Sequence, residues 1–505
     1  MNYAHYGFNN ERLAKRERLL ADAVSPYPYS FSRTHKISEI IAAIEASEQP
    51  VDLRVRTHGR IWARRQMGRA LFFDLQDGDD KIQIYCTHRN FTQRQWEHLS
   101  LLDLGDIIGI EGEVFHTRTG ELSINAEELT VLAKAVVPIP IGKEAGENVY
   151  YRAADAEIRY RERYLHWLLD RQDRQRVYRR SQIISHVRRH MEENGFLEVS
   201  TPTVTPVYGG AEARPFVTSV WALDRQQAYL RISPELHLKR YIVAGFEQVF
   251  TICQNFRNEG ADRSHNPEFT MIEWYEALTD YTVQMQRFEQ LVAAVCEAVC
   301  GSTQITYQGT KLDFSPPWQC LTVLDALRQY ANINATAMTP EDLRLEMKNR
   351  GIECPENMSW GHAVAALFET VCEQHLVQPT LVLDHPLVIS PLAKVHRKDG
   401  RLAERFEAYV CGMELGNAYS ELTDPVEQLE RLTQQRQTGN QDDDWIDHPL
   451  DADFVKALGC GMPPTGGVGL GIDRLVLLLT DATSIRDVIG FPMVKSRNPE
   501  TEDTE

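Results

Sequence analysis

No stretch of this 505-residue chain is apolar for long enough to cross a membrane. A membrane-spanning helix needs about 20 consecutive, mainly apolar residues, and every apolar run here is much shorter. The opening residues, Met1-Asn-Tyr-Ala-His5, also lack the charged start and apolar centre of a secretory signal. We therefore expect a cytoplasmic protein with no membrane partner.

Cysteine is present without any pattern typical of a metal site. No two of the nine cysteines are separated by only two residues, as zinc-binding pairs commonly are. Cys296 and Cys300 lie four residues apart in an apolar, helix-like run, which favours buried thiols. The odd number of cysteines and their scatter predict reduced thiols and disfavour a zinc site.

An excess of positive charge is also absent, because 72 acidic residues oppose 54 Lys and Arg and give a net charge of −18. Such a chain does not bind nucleic acid indiscriminately, although it can carry a local basic surface. One short segment, flanked by Asp52 and Asp74, is rich in arginine. Its arginines are Arg54, Arg56, Arg60, Arg64, Arg65 and Arg69.

The arginine-rich segment opens a series of short β-type runs. The runs cover residues 53–62, 70–75, 81–85, 106–110 and 120–124. Five closely spaced strands predict a small Greek-key barrel of the OB type. Such barrels bind single-stranded nucleic acid on aromatic rings beside a positive groove. A purely structural β-domain is the alternative, and the density of arginine disfavours it.

Beyond the barrel, amphipathic helices alternate with strands and long polar connections, which indicates an α+β protein with an antiparallel sheet flanked by helices. We predict five segments, the fourth with a helical insertion at about 341–378. They are an N-terminal helical segment (1–50), the OB-type barrel (51–135), a linker with the helix that leads onward (136–175), a catalytic domain (176–495) and a disordered acidic tail (496–505).

A polar stretch lies between two apolar β-type runs, 249–252 and 269–272. Runs separated by a polar, Gly-containing connection predict antiparallel strands joined by a long loop. This arrangement places Arg257 and Glu259 on the first strand, His265 in the loop and Phe269 on the return strand. A guanidinium forks onto phosphate oxygens, and an aromatic ring offers a stacking face for a base. A surface hairpin with ordinary ion pairs would show the same residues.

Three motifs in order decide between these interpretations. Phe256-Arg-Asn-Glu-Gly260 with His265-Asn-Pro-Glu-Phe269 resembles motif 2 of the class II aminoacyl-tRNA synthetases. Gly195-Phe-Leu-Glu-Val-Ser-Thr-Pro202 resembles motif 1, and Gly469-Leu-Gly-Ile-Asp-Arg474 resembles motif 3. Within that class the chain resembles the bacterial type of the lysyl-tRNA synthetase family over nearly its whole length. The likeness implies the class II catalytic fold.

The resemblance implies ATP-dependent activation of L-lysine to lysyl-adenylate, followed by transfer to the 3′ end of tRNA(Lys). This chemistry depends on positioning and charge neutralisation and needs no protein nucleophile. The implied catalytic pair is Arg257, at the α-phosphate and the reacting carboxylate, and Arg474, at the far end of the triphosphate. The other implied ATP contacts are Glu259 at the adenine end, Phe269 on the ring, and His265 and Asn266 in the motif 2 loop.

Two carboxylates, Glu407 and Glu414, are the implied ligands for Mg²⁺. Magnesium prefers oxygen ligands and shares phosphate oxygens with a bound nucleotide. Because seven residues along one strand reverse the face, a turn at Gly412 must re-aim Glu414. Without the resemblance, an ordinary strand with charged edges is the preferred interpretation.

The implied lysine pocket is unusually acidic. Glu273 and Glu421 match the family positions that clamp the ε-ammonium, whereas aspartyl and asparaginyl relatives need cationic or amide partners for their substrates. The remaining implied contacts are Tyr275 and Tyr419 along the aliphatic stem, Glu235 with Gly210 at the α-amino group, and Asn417 near the carboxylate. Ser233, Gly467 and Gly490 depart from the usual family residues, but none of them removes a charged group.

The barrel is the implied anticodon-binding domain, with contacts at Arg65, Phe72, Gln83 and Glu121. Phe72 and Phe73 point to opposite faces of one strand, and alternation does not say which of them is exposed. The choice of Phe72 therefore comes from the resemblance.

Three function classes fit the chain: a lysine–tRNA ligase, an enzyme that activates lysine and delivers it to a protein, and a non-catalytic regulator. Truncated protein-modifying relatives lack the barrel, and a degenerate regulator should have lost a motif arginine or a metal carboxylate. This chain has the barrel, the motif arginines and the metal carboxylates, so the ligase is favoured. Motif 1 further implies a homodimer with a two-fold interface.

Overall fold

The computed structural model describes residues 3–47, 52–141, 144–145, 148–149, 156–438 and 450–495. The predicted acidic tail at 496–505 lies outside these residues. The chain divides into two compact units, Met1–Arg171 and Gln172–Glu505. The predicted linker segment, 136–175, falls almost entirely within the first unit.

The first unit is built around a closed five-stranded barrel, with the strands in the order β1-β2-β3-β5-β4. Its strands are β1 (Arg54–Met67), β2 (Ala70–Asp77), β3 (Asp80–Thr87), β4 (Ile107–His116) and β5 (Leu122–Ala133). Its helices are α1 (Asn10–Ala21), α2 (Ile37–Glu45) and, between β3 and β4, α3 (Gln93–Ser100). The predicted OB-type barrel is confirmed, with strands longer than the sequence pattern indicated.

The barrel buries alternate residues of its strands. Phe73 on β2, Ile84 on β3 and Ile124 on β5 are fully buried in one apolar core. Phe72 lies on the opposite face of β2 and is partly exposed. The period of two along a strand thus separates the neighbouring phenylalanines, and closure of the barrel decides which one faces out.

The rest of the first unit is short elements. They are a 3₁₀ turn (Tyr3–Tyr6), the two-residue strands β6 (Glu144–Ala145) and β7 (Asn148–Val149), α4 (Ala156–Arg161) and α5 (Arg163–Leu169).

The second unit is organised on an eight-stranded sheet in the order β16-β17-β18-β19-β20-β13-β12-β8. Its strands are β8 (Leu197–Glu198), β12 (Gln248–Phe256), β13 (Glu268–Ala277), β16 (Gln319–Thr322), β17 (Thr380–Leu383), β18 (Arg405–Val410), β19 (Met413–Ser420) and β20 (Thr465–Gly471). Only the two edge pairs of this sheet, β8 with β12 and β16 with β17, are parallel. The predicted antiparallel catalytic sheet is therefore confirmed.

Two smaller sheets and the helices complete the second unit. The strands are β9 (Val204–Thr205), β10 (Val217–Val220) and β11 (Gln226–Leu230), which form one sheet, and β14 (Gln304–Tyr307) with β15 (Thr310–Asp313). The helices are α6 (Arg171–Glu193), α7 (Glu235–Val243), α8 (Tyr281–Cys300), α9 (Val323–Ala331), α10 (Pro340–Asn349), α11 (Trp360–Val371), α12 (Pro425–Thr438), α13 (Ala452–Gly459), α14 (Ile472–Leu479) and α15 (Ile485–Val488). Short 3₁₀ turns lie at Trp221–Leu223, Ala335–Ala337, Glu373–His375 and Leu387–Ile389.

The region of the predicted helical insertion, about 341–378, holds α10 and α11. These helices share an apolar core with α9, through Leu327, Leu343 and Leu367 among other residues. The helical lobe therefore starts near Val323, because α9 packs with the helices that follow it.

One buried carboxylate ties motif 3 to β13 and to α6, the helix that precedes motif 1. Asp473, at the start of α14, accepts a hydrogen bond of 2.8 Å from the backbone N–H of Thr270 on β13. Its other oxygen pairs with the guanidinium of Arg180 on α6. Burial raises the pKa of Asp473, and the charge of Arg180 opposes that rise. This pairing fixes the first turn of α14, and so the position of the adjacent Arg474, against β13.

Among the described residues, no helix combines the length and the apolar content that crossing a membrane requires.

Candidate active site

A cavity of about 340 Å³ opens over the centre of the large sheet. The predicted substrate and metal residues that line it are Gly210, Glu235, Arg257, Glu273, Tyr275, Glu407, Glu414, Asn417 and Tyr419. They come from α7, the two hairpins β12–β13 and β18–β19, and the loop that holds Gly210. The fold thus gathers onto one cavity residues that are spread over more than 200 positions of the chain.

The middle strand of the cavity floor, β20, carries glycines at the positions that face the cavity. On β20, Gly467 pairs with Tyr275 on one side and with Tyr419 on the other. In the next row Gly469 lies between Glu273 and Asn417. A Cβ atom at position 467 would lie 2.0 Å from an oxygen of Glu421 and 2.4 Å from the Tyr275 ring. Glycine at position 467 is therefore a steric requirement of the pocket.

The acidic end of the cavity has a dense hydrogen-bond network. Ser233 donates its hydroxyl to Oε1 of Glu273 at 2.9 Å and accepts the backbone N–H of Glu235 at 3.0 Å. Tyr275 lies 3.4 Å from the other oxygen of Glu273, and Tyr419 donates to Glu235 at 2.8 Å. The hydroxyl of Ser233, a departure from the usual family residue, therefore connects the carboxylate of Glu273 to the backbone of Glu235.

Glu421 does not line the cavity but lies directly behind its wall, fully buried just after β19. The ammonium of Lys239 contacts one of its oxygens and also lies 2.6 Å from Oε1 of Glu235. Sequence reasoning missed Lys239. Its spacing of four from Glu235 is the signal, because residues at i and i+4 are neighbours on a helix.

The carboxylates are held in an environment that opposes their charge. Burial raises the pKa of Glu273 to about 8, and the nearby Glu235 adds to the rise. Burial likewise raises the pKa of Glu421 well above its usual range, although Lys239 opposes the shift. Two buried carboxylates with raised pKa values favour the arrival of a cation, which would pair with them in place of protons.

The motif 2 arginine lies at the edge of the strand rather than within it, which corrects the placement expected from sequence. Strand β12 ends at Phe256, so Arg257 and Glu259 belong to the connection. The backbone N–H of Arg257 donates to Pro267 at 2.9 Å, but Pro267 has no N–H to continue the ladder. Phe269 is on the return strand β13, as predicted, and its ring centroid lies 5.2 Å from the Arg257 guanidinium.

The motif 3 arginine connects the cavity to the motif 2 loop. Arg474 contacts the carboxylate of Glu414 at 3.5 Å and Nε2 of His265 at 3.2 Å. His265 is exposed in the loop, as predicted, and its Nδ1 lies 2.9 Å from Asp262. Arg474 and His265 therefore lie together where the cavity meets the motif 2 loop.

The other two predicted ATP residues lie on either side of this loop. Glu259 is exposed, whereas Asn266 is buried and donates to the backbone oxygen of Glu268 at 2.6 Å. Asn266 thus orders the loop from within.

The two predicted metal carboxylates lie on neighbouring strands. The turn at Cys411 and Gly412, both with positive φ, joins β18 to β19 and brings Glu414 next to the strand that carries Glu407. The predicted turn at Gly412 is therefore confirmed. Two carboxylates on one cavity wall form an all-oxygen donor set of the kind that hard divalent cations prefer.

Glu407 is kept ionised by its neighbours. Burial works against its charge, but His385 and Arg405 lower its pKa, with hydrogen bonds from Arg405 and from Tyr409, the latter at 2.6 Å. Because burial also lowers the pKa of His385, Arg405 is the cation that remains at neutral pH. Arg405 lines the cavity and was missed from the sequence.

The predicted nucleic-acid residues lie on the outer face of the barrel. Arg65 pairs with Asp74 at 2.8 Å, and Gln83 accepts a hydrogen bond from Ser123 at 3.1 Å. Glu121 is exposed in the turn before β5.

An aromatic strip crosses the same face. Phe72 is followed by Tyr85, with ring centroids 5.2 Å apart, and Tyr85 by Phe115 at 5.8 Å. Sequence reasoning missed Tyr85, which strand pairing brings beside Phe72, and Phe115, which lies beside Tyr85. Three adjoining, partly exposed rings form a surface suited to stacking bases.

Comparison with known proteins first defines the class. A family model described as tRNA synthetases class II (D, K and N) matches residues 155–495. A second model, described as OB-fold nucleic acid binding domain, matches residues 55–132. The two matches correspond to the large sheet with its cavity and to the barrel.

Individual relatives identify the family within this class. The chain is 43% identical to a lysine–tRNA ligase of Dehalococcoides mccartyi over 498 residues, which cover 98% of each chain. It is 42% identical to that of Methanoculleus marisnigri, over 98% of this chain and 96% of the relative. It is 41% identical to that of Listeria monocytogenes, over 98% of this chain and 100% of the relative. The chain therefore belongs to the lysine–tRNA ligase family of class II synthetases.

The raised pKa of Glu273 predicts a stability that depends on pH. Its folded value of about 8 lies above the ordinary 4.5, so the free energy of unfolding falls as pH rises between these values. Glu273→Gln removes this effect. Without substrate, the free energy of unfolding of the variant should exceed that of wild type at pH 8.5 by on the order of 2–4 kcal/mol. Near pH 4.5 the two free energies should be equal.

Thermal unfolding at several pH values measures this difference. Glu276→Gln is a matched control on the same strand, because Glu276 is paired with Arg287 at 2.8 Å and its loss should destabilise the protein. A Glu273→Gln variant less stable than wild type at pH 8.5 would contradict the assignment.

Proposed function

We propose that this protein is an aminoacyl-tRNA-forming ligase that activates L-lysine with ATP and transfers the lysyl group to the 3′ end of tRNA(Lys) in protein synthesis. The observation that carries the proposal is the cluster of buried carboxylates Glu235, Glu273 and Glu421 beside Arg257. A pocket that combines an excess of buried carboxylates with a guanidinium complements an amino acid with a cationic side chain.

A count of charges supports lysine as the substrate. With three carboxylates and one ammonium, that of Lys239, two carboxylates at the acidic end lack a cationic partner of their own. L-Lysine carries two ammonium groups and one carboxylate, and Arg257 is the cation on the cavity wall that would pair with the carboxylate. An acidic or neutral side chain would leave the buried carboxylates unpaired, which is costly.

In the first step the lysine carboxylate attacks the α-phosphorus of ATP and pyrophosphate leaves. Arg257 would neutralise both the attacking carboxylate and the α-phosphate, and Arg474 with His265 would bind the phosphates that leave. Phe269, held beside Arg257, offers a stacking face to adenine. Groups fixed in place before the reaction stabilise developing charge without reorganisation.

In the second step a ribose hydroxyl of the tRNA 3′ end attacks the lysyl carbonyl carbon, and AMP leaves with the bonding electrons. The side-chain N–H of Asn417 donates to the carboxylate of Glu414 at 3.3 Å. From this position Asn417 would orient the carbonyl end of the lysine. No side-chain nucleophile takes part, so the residues act by orientation and charge alone.

Glu407 and Glu414 fit a divalent cation, and we propose Mg²⁺. Both line the cavity, and Glu407 stays ionised at neutral pH. When bound, such a cation neutralises phosphate oxygens of the nucleotide. Arg405 and Tyr409 would hold the Glu407 carboxylate in position for it.

Delivery of lysine to a protein instead of tRNA has no support in these findings. The relatives match over almost their whole length, barrel included, and are named as tRNA ligases. A cytoplasmic location follows from the proposed role in protein synthesis and agrees with the free cysteines, which are typical of a reducing compartment.

Two assays test the function directly. Purified protein should exchange labelled pyrophosphate into ATP when L-lysine is present, and should acylate tRNA(Lys) but no other purified tRNA. Aspartate and asparagine serve as control amino acids and should not support exchange. Exchange with lysine but no acylation of any tRNA would overturn the ligase assignment.

The aromatic strip predicts a split between the two assays. Phe72→Ala removes one stacking ring, which should lower acylation of tRNA(Lys) by about 5–150-fold and leave tRNA-free exchange near wild type. Phe73→Ala is the matched control. It removes a core ring at the neighbouring position and should cost about 3–5 kcal/mol of stability.

Melting temperatures identify which effect is present. If Phe72→Ala lowers the melting temperature as much as Phe73→Ala does, Phe72 acts in the core. Unchanged acylation would show that the barrel does not bind the anticodon through this residue.

A homodimer is part of the proposal. Apolar side chains in and just after motif 1 and on the small sheet are about half exposed: Leu197 at 49%, Val204 at 46% and Val217 at 49%. A second copy bound across a two-fold axis would cover them. Sedimentation at micromolar concentration should give about twice 57.8 kDa, and a fully active monomer would contradict this.

A further inference from the structure

Lys239 is a buried cation of the chain itself, placed inside the acidic cluster that the proposed substrate must enter. Its side chain is completely buried and does not line the cavity. Its ammonium lies 2.6 Å from Glu235 and in contact with Glu421, and 5.8 Å from the ring centroid of Tyr419. Burial opposes its charge, but Glu235 and Glu421 outweigh burial and raise the pKa of Lys239. It is therefore a permanent cation of the site.

We propose that Lys239 is a positioning and specificity-determining residue, which orients Glu235 and Glu421 and leaves the pocket with charge for two ammonium groups. This inference rests on the proposed function. It identifies a residue that touches no substrate and acts through the two carboxylates that it bridges.

The contacts explain how one ammonium orients both carboxylates. Glu235 is bound through both oxygens, one to Lys239 and the other to the hydroxyl of Tyr419. Glu421 contacts the Lys239 ammonium through Oε2, and both of its oxygens are buried without a conventional hydrogen-bond partner among the described residues. Lys239 thus holds Glu421 so that its Oε1 lies on the side of Gly467 and the cavity and stays unpaired.

The charge of Lys239 also matters for the protonation of the cluster. The titratable groups that face Glu421 are Lys239 and Glu235 on α7, Glu273 and Tyr275 on β13, and Tyr419 on β19. Lys239 is the cation among them and opposes the rise in the pKa of Glu421. Without it, three carboxylates would share one buried space, and one more of them would bind a proton that lysine must displace.

Lys239→Gln is the sharpest variant, because an amide can still donate a hydrogen bond but carries no charge. We expect the KM for lysine in pyrophosphate exchange to rise at least about tenfold at pH 7, with the KM for ATP nearly unchanged. Calorimetry in two buffers of different ionisation enthalpy should show about one more proton released per lysine bound than in wild type.

The double variant Lys239→Gln/Glu421→Gln removes one charge of each sign. Its net charge equals that of wild type, so proton release should return to the wild-type value even though lysine binds weakly. Because it leaves neither charge of this pair buried alone, it should also melt higher than the single variant, and it keeps the test valid if the single variant does not fold.

Three outcomes would overturn the inference. They are a Lys239→Gln variant with the wild-type lysine KM and proton release, a double variant that releases about one extra proton, and wild-type protein that binds no lysine. The last outcome would overturn the proposed function as well, whereas the first two leave it intact.

Discussion

Buried negative charge that the chain does not fully neutralise is the constraint on which the catalytic unit depends. Glu273 and Glu421 are both almost inaccessible to solvent, and Lys239 is the one buried ammonium in contact with their cluster among the described residues. Carboxylates removed from water must be paired or protonated. Burial raises the pKa of both carboxylates, because the residues of the pocket alone do not pair them fully. Under the proposed function, a ligand with ammonium groups would pair with both carboxylates, and the cost of burying them would become selectivity for lysine.

The sheet delivers these groups by register. Pairing of β19, β20 and β13 sets Tyr419, Gly467 and Tyr275 in one row, and Asn417, Gly469 and Glu273 in the next. Glycine on the middle strand opens the space, while the outer strands supply the side chains. Asp473 then fixes α14 on β13, which determines where Arg474 meets the motif 2 loop. The groups proposed to bind lysine and those proposed to bind phosphate thus share one rigid support.

In the barrel, alternation along each strand decides which side chains are buried. One face of each strand fills the core, and the other presents rings and polar groups. Closure brings Phe72, Tyr85 and Phe115 together although they come from three strands. A net charge of −18 is compatible with this surface because Arg65 and its neighbours concentrate positive charge locally.

The sequence by itself determined the two architectures, the order of the motifs and the chemistry of the residues in them. Alternation of apolar residues marks strands, and the motifs identify the arginines and carboxylates that the site uses. It also required a turn at Gly412, because seven residues along one strand reverse the face.

Tertiary structure alone decided which of these residues meet. It placed Phe72 outside and Phe73 inside, because barrel closure chooses the face that alternation leaves open. It ended β12 before Arg257, since Pro267, just before the partner strand β13, cannot donate a backbone hydrogen bond. It brought Lys239 onto Glu421, a residue 182 positions away, and Arg405 onto the cavity wall. Contacts between distant residues depend on how strands and helices pack together, and a local pattern contains no record of that packing.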